Sequence, residues 1–260
     1  NGVLIIHSKN VRKLLAEVSF KIYNKIPKNL IAVTGTNGKS SIVDFYYQIL
    51  KLNNKSVASI GTLGLKSKKI NLDLSNTTTD PIQLGQILTK LKNQKIDNVI
   101  MEASSHGLKQ NRLDGLNFNS GIFTNLSQDH LDYHKNLNAY LKAKLYLFKY
   151  LIKKKGSVIT DEKIPQFKKI SKITKTRNLK LYTLNNKKNG FEVLLHYFKG
   201  ESQILKIKYK NSIKTIKLNL IGKIQIKNIL MAIIAAKKSN LGIDKILQVL
   251  PKLVCAEGRF

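Results

Sequence analysis

The chain has 260 residues, enough for one large domain or a domain with a fragment beside it, and 42% of them are hydrophobic, an ordinary share for a buried core. Its formal net charge is +31, but the excess is lysine spread along the whole chain, with only Arg12, Arg112, Arg177 and Arg259 as arginines. Base-edge readout favours arginine forks, so the charge argues compositional bias rather than a nucleic-acid groove. No apolar run approaches the ~20 residues of a membrane span, the opening residues do not read as a secretory signal, and the one cysteine, Cys255, suits a cytoplasmic protein without an internal disulfide.

The chain opens without Met and stops at "AEGRF" with no closing helix, so it reads as a piece of a longer protein. "NLIAVTG" (29–35) is a short apolar run ending in glycine, the pattern of a buried parallel strand. Residues 39–52 place Ile42, Phe45, Tyr46, Ile49 and Leu50 at helical spacing. "SVASIGT" (56–62) reads as the next strand, and residues 80–94 as a helix with Asp80 as N-cap and Pro81 at its first position. "IDNVIMEAS" (96–104) and "FNSGIFTNL" (118–126) are further strands, 136–152 a helix capped by Asn136 or Asn138, and "SVITD" (157–161) a last strand of this series. From about 178 to 221 four strand-like runs, beginning with "KLYTL", are separated by polar turns, and two helices follow at 224–238 and 242–250. Strand and helix in alternation predict an α/β fold: a P-loop-type, doubly wound, mostly parallel sheet with a small antiparallel side sheet.

"VTGTNGKSS" (33–41) lies between a strand and a helix, the setting in which consecutive backbone N–H groups converge on phosphate oxygens. Only two residues separate Gly35 from Gly38, where the general phosphate loop has four between its glycines. Lys39 supplies a point charge and Ser40 a hydroxyl able to ligate Mg²⁺. A second concentration runs from 102 to 134 and holds Glu102, His106, Asp114, Asp129, His130, Asp132 and His134. In so basic a chain it suggests a cation site, with Glu102 at a strand end where such groups reach ligands. His130 and His134, at i and i+4, leave open a zinc site, and Asp129 and Asp132 can equally cap a loop. "SNTTTDP" (75–81) either holds an anionic or sugar substrate or only caps the helix after it. Gln110 and Arg112 resemble a donor pair for a carboxylate or phosphate.

"TGTNGKSS", with "MEASSHGLKQNRL" and "GIFTNLSQDHLDYHKNLNAYLKAKLYLF", resembles the Mur ligases, in the branch that adds the third amino acid of the peptidoglycan stem peptide. Sister ligases, folylpolyglutamate-type enzymes among them, share the short loop but generally not "SSHGL" with "DHLDYH". The resemblance implies an ATP-dependent amide ligase. The carboxylate of UDP-MurNAc-L-Ala-D-Glu attacks the γ-phosphate of ATP, and the amine of a diamino acid displaces phosphate from the acyl phosphate. Meso-diaminopimelate is expected ahead of L-lysine. Gly35, Thr36, Asn37, Gly38, Lys39, Ser40 and Ser41 would cradle ATP, with Asn228 near the adenine and Arg259 near the phosphates. Ser40 and Glu102 would hold one Mg²⁺, and His130 with Lys144 a second, Lys144 being carbamylated so that its charge is reversed. Lys39, Glu102, His130 and Lys144 would carry the catalysis, and Asn76, Thr77, Thr78, Ser104, Gln110 and Arg112 would bind the UDP-muramoyl peptide. Where the family often has asparagine this chain has Gln225. The implied layout is a UDP-binding tail at 1–28, a central ATP-binding domain at 29–254 and the start of a hinge at 255–260. A monomer with no nucleic-acid partner is expected, inactive without the domain that selects the amine.

Overall fold

The computed structural model describes residues 5–129, 131–184, 191–200, 202–209, 211–220, 222–256 and 258. Eight strands form the main sheet in the order β4-β3-β2-β5-β1-β6-β7-β8. β1 (Asn29–Thr34), β2 (Val57–Gly61), β5 (Asn98–Glu102), β6 (Phe118–Phe123), β7 (Ile152–Thr160) and β8 (Lys180–Thr183) run parallel. A short antiparallel hairpin, β3 (Gly64–Ser67) and β4 (Asn71–Leu72), borders one edge. Because the chain steps from β1 outward to β2, back to β5 and then across to β6, β1 lies at a topological switch. In open α/β sheets the crevice beyond the carboxyl ends of such strands is where ligands bind.

Helices cover both faces. On one, α2 (Lys39–Leu52), α8 (Lys223–Lys238) and α9 (Ile243–Val249) share a core with the sheet through Phe45, Ile49, Ile229 and Ile246. On the other, α1 (Val11–Ile22), α3 (Pro81–Asn93) and α6 (Leu137–Tyr146) pack through Phe20, Leu88 and Leu145. Short α4 (Ser105–Lys109) and α5 (Leu131–His134) sit in the loops above the sheet, and α7 (Phe167–Thr176) crosses between β7 and β8. Asp80 caps α3, accepting from the amides of Ile82 and Gln83 at 3.0 Å, and Asn136 caps α6 through Ala139 N–H at 2.9 Å. Among the described residues no helix is long and apolar enough to cross a membrane.

Three expectations need correction. "KLYTL" does not belong to the side sheet: β8 pairs parallel with β7, Ser157 opposite Lys180 through Thr160 opposite Thr183. The overlooked helix α7 supplies the crossover that a parallel strand requires. The side sheet is therefore three strands, β9 (Glu192–Lys199), β10 (Ser202–Tyr209) and β11 (Ser212–Leu218), in the order β11-β10-β9. The helix expected over 136–152 is α-helical only to Tyr146 and continues as a π-turn through Leu151, and β7 starts at once at Ile152. Exposed Lys153, Lys154 and Lys155, the last at φ +58°, fall in a register irregularity against β6 and hid this early start.

Candidate active site

The carboxyl ends of β1, β2 and β5 open into a cleft of about 520 Å³ lined by Thr36 to Ser41, Thr62, Asn76 to Thr78, Glu102, Ser104 to His106, Gln110, Arg112, Asp129, Tyr140 and Lys144. The phosphate loop forms its floor. Gly38 takes φ +85° and begins α2 with no side chain capping the helix amides, which leaves those N–H groups to an anion. A Cβ on Gly35 would come within 1.8 Å of Thr124 Oγ1, and one on Gly38 within 2.5 Å of Asn228 Oδ1, so the two glycines let other segments close on the loop. Those segments hold it firmly. Asn125 accepts from Thr36 N–H at 3.0 Å through its backbone and from Asn37 N–H at 3.0 Å through its side chain, and Thr124 Oγ1 donates to Asn37 O at 2.6 Å.

Two lysines meet on one carbonyl. Lys39 Nζ donates to Gly35 O at 3.1 Å and to Thr36 O at 2.7 Å, while Lys144 Nζ donates to Gly35 O at 2.7 Å. Lys144 is 1% exposed and its Nζ lies 4.2 Å from the centre of the Tyr140 ring, one turn earlier on α6. Burial, and then the charge of Lys39, push its pKa down to about 6, against a smaller opposing pull from Asp129. Burial thus shifts Lys144 toward the uncharged, nucleophilic amine.

Glu102 closes β5 and is 2% exposed. Its Oε1 accepts from Thr62 N–H at 2.9 Å and its Oε2 from Thr62 Oγ1 at 3.4 Å. A Cβ on Gly61 would come within 2.4 Å of this carboxylate, so the end of β2 is shaped around it. The loop at 76–78 is tied to the same strand end: Thr62 Oγ1 and Thr77 Oγ1 are 3.1 Å apart, Thr78 Oγ1 donates to Glu102 O at 2.9 Å, and Ser104 N–H donates to Thr78 Oγ1 at 2.9 Å. Ser104 also caps α4 through Gly107 N–H. Arg112 Nη1 donates to Thr78 O at 2.5 Å, and its Nε and Nη2 both donate to Gln110 Oε1, at 3.0 and 2.8 Å. Ser104 and Thr78 thus hold local structure while lining the cleft. Asn76 faces it with its amide turned toward Ser75.

The acidic and histidine concentration does not stay together. Asp114 is 3% exposed and accepts from Tyr146 OH at 2.7 Å and Asn111 Nδ2 at 3.2 Å, away from the cleft. Asp132 is exposed, whereas Glu102, His106 and Asp129 line the cleft. His134, the described half of the zinc alternative, is 1% exposed and packs against the rings of His106, Tyr133 and Tyr140. His130 and Arg259 lie outside the described residues. Among the described residues no three of His, Cys, Asp and Glu gather as metal ligands. A buried glutamate, a loop hydroxyl and phosphate-binding amides instead suit Mg²⁺, which takes one or two carboxylates and completes its shell with substrate phosphates and water.

A second hollow, about 420 Å³, adjoins the far side of the phosphate loop and is lined by Asn37, Thr124, Asn125, Asp161, Ile164, Ile224, Asn228 and Met231, among others. Asn228 Nδ2 donates to Gln225 Oε1 at 3.1 Å, so glutamine at 225 still orients Asn228. Buried Asp161 pairs with Lys227 at 2.7 Å. Sequence reasoning missed Tyr140, Thr62, Gly61, Thr124 and Asn125. Thr62 was within reach, since β2 ends in "GT" beside β5, the strand that Glu102 closes, but nothing local in the sequence marks the others.

Residues 33–236 match the Mur ligase middle domain. The chain is 34% identical over 258 residues to the UDP-N-acetylmuramoyl-L-alanyl-D-glutamate--2,6-diaminopimelate ligase of Chelativorans sp. (strain BNC1), covering 99% of this chain and 53% of that protein. Against the ligase of the same name from Rickettsia prowazekii (strain Madrid E) the identity is 35% over 259 residues, 98% of this chain and 54% of the relative. A solved structure of a ligase of that name superimposes with a TM-score of 0.85 at 26% identity, over 97% of this chain and 53% of that one. The apo form of L. casei FPGS shares the fold alone, with a TM-score of 0.73 at 15% identity over 96% of this chain and 68% of that one. The chain spans about half the length of the curated relatives it matches. The match to the middle-domain model over most of the chain, together with these relatives, shows that this chain belongs to the Mur ligase family.

Proposed function

We propose that this chain is the ATP-binding middle domain, residues 29–254, of a ligase that joins meso-diaminopimelate to UDP-MurNAc-L-Ala-D-Glu. Residues 1–28 would be the tail of a UDP-binding domain and 255–260 the start of a hinge. The observation that carries this reading is that the phosphate loop, Glu102, Lys144 and the Asn76–Thr78 and Gln110–Arg112 groups line one cleft. A floor suited to a nucleotide then lies beside a polar wall suited to a second anionic substrate. The names of the relatives supply the substrate class.

In this reading the amides of Gly35 to Ser41 hold the ATP phosphates, and Asn228 borders the hollow open to the adenine. Lys39 leaves the Gly35 and Thr36 carbonyls to bind the outer phosphates. Its positive charge then offsets the repulsion between an attacking carboxylate and the γ-phosphate. Attack transfers the phosphoryl group, releasing ADP and leaving an acyl phosphate. The incoming amine adds to that carbonyl and phosphate departs. Asn76, Thr77, Thr78, Ser104, Gln110 and Arg112 hold the muramoyl peptide with its carboxylate toward the loop. Ser40 and Glu102 would hold one Mg²⁺, and His130 and carbamylated Lys144 a second ion, whose charge would offset that of the phosphates. A buried, uncharged Lys144 amine can add CO₂, releasing one proton and forming the carbamate. Arg259 would approach the phosphates from the hinge. A cytoplasmic monomer with no nucleic-acid partner completes the proposal.

The test is ligation by the full-length protein. With ATP, UDP-MurNAc-L-Ala-D-Glu and diaminopimelate it should release one ADP and one phosphate per amide formed, and L-lysine should substitute poorly. No amide product from any diamino acid would sink the reading. Lys144→Ala should lose activity and regain part of it with added short carboxylic acids, which stand in for a carbamate but not for an ammonium. The 260 residues alone should not turn over.

A further inference from the structure

Away from the cleft, α2 is tied to the segment that follows α9. Gln48 uses both ends of its side-chain amide on one backbone residue: Nε2 donates to Val254 O at 2.9 Å, and Oε1 accepts from Val254 N–H at 3.1 Å. The same Nε2 donates to Asp44 Oδ2 at 2.5 Å, one turn earlier on the helix. Asp44 is 8% exposed, and burial pushes its carboxyl up, opposed by the Gln48 hydrogen bond and by Lys66 and Lys51. Val254 is 63% exposed, while its neighbour Leu253 and, two residues on, Ala256 are buried. Gln48 therefore serves the backbone, pairing with it as a neighbouring strand would.

α2 begins at the phosphate loop. Gln48 stands nine residues after Lys39, about 13 Å along a helix that rises 1.5 Å per residue. Ile42, Phe45 and Ile49 are fully buried, so the helix moves, if it moves, as a rod. One rod thus has its first turn at the phosphates and its third turn gripping the chain at Val254.

We infer that Gln48, oriented by Asp44, is a positioning residue that sets the path of the chain at Val254 relative to the phosphate loop, so that nucleotide bound at the start of α2 is registered in the segment leading out of this domain. This rests on the ligase reading above, in which the amine-selecting domain lies beyond that segment. Gln48 touches no substrate; it governs where the amine is presented.

The experiment is site-resolved amide hydrogen exchange on the full-length protein, with and without Mg²⁺ and a non-hydrolysable ATP analogue. In the parent protein, nucleotide should slow exchange at Val254 at least threefold. Gln48→Met keeps size and helix propensity but removes both bonds. It should speed exchange at Val254 at least tenfold without nucleotide, abolish the nucleotide effect, and lower kcat or raise KM for the diamino acid more than fivefold. Nucleotide affinity should stay within twofold. Asp44→Asn, which keeps an acceptor, should behave like the parent, and Asp44→Leu like Gln48→Met. Unchanged basal exchange in Gln48→Met overturns the tie, whatever nucleotide does. Faster exchange with unaltered steady-state kinetics overturns the positioning role. Failure of the parent protein to bind nucleotide at all would instead count against the ligase reading.

Discussion

The two walls of the cleft are built on different principles. The phosphate loop is organised by what is absent: glycines at 35 and 38 admit Thr124 and Asn228 to distances no Cβ would allow, and the helix amides have no side-chain cap. Its support comes from far along the chain, Asn125, Ser127 and Lys144 all donating to or accepting from residues 35–37. The opposite wall is organised by side chains that hold each other, with Arg112 fixed on Gln110 and Thr78, Thr78 fixed on Glu102, and Thr62 bridging Glu102 and Thr77. A wall of amides fits any polyphosphate, whereas a wall of mutually fixed side chains can be shaped to one substrate. The difference teaches where catalytic generality and specificity should separate under mutation.

Removing the charge on the amide wall should do the most damage. Lys39→Ala is expected to lower kcat about 10²–10³-fold, the usual cost of one preorganised electrostatic donor, in a steady-state ligation assay of the full-length protein. Gly38→Ala should follow. Its φ of +85° and the nearby Asn228 amide suggest a penalty of about 1–3 kcal/mol, read by calorimetry as a roughly 10–100-fold loss of ATP affinity. On the side-chain wall, Arg112→Lys should raise KM for the UDP-muramoyl peptide about tenfold, since an ammonium cannot reproduce the guanidinium fork, while ATP affinity stays unchanged. Equal losses for both substrates would erase the distinction between the walls.

The last effect concerns stability rather than catalysis. Lys144 has a folded pKa of about 6, below its ordinary value, so between about pH 6 and 10.5 the unfolded chain binds one more proton than the folded one. The folded state gains stability as pH rises through that window. Lys144→Met removes the penalty and leaves Gly35 O its Lys39 partner. Measured by denaturant titration without bicarbonate, it should stabilise the protein by about 1–3 kcal/mol near pH 6, the gain shrinking toward pH 10.5.

Where periodicity was strong the sequence could be read directly. β1, α2 and α3 fall within a residue or two of expectation, because buried-strand runs, helical spacing and the Asp80–Pro81 start are local signals. α7 went unseen because lysines surround its two buried residues, Ile170 and Thr174, and that omission in turn misplaced β8. Asp114 was grouped with Glu102 and His134 by sequence distance, but the loop from β5 to β6 carries it to Tyr146 on the other side of that region. Tyr140 could not have been singled out from any other helix tyrosine, since its role depends on Lys144 being buried beside it. Glu102 was legible because a carboxylate ending a central strand has few structural reasons to be there.

The clasp on the phosphate loop also sets a timetable. Asn37 leaves the ribosome 88 residues before Asn125, and Gly35 109 residues before Lys144. At about 5–20 residues per second, the loop is made for roughly 5–20 s before the distant segments that clasp it exist. Nucleotide binding should therefore be absent from nascent chains that have exposed only β1 and α2. It should emerge once β6 and α6 have joined the sheet, making ATP affinity a clock for completion of this half of the domain.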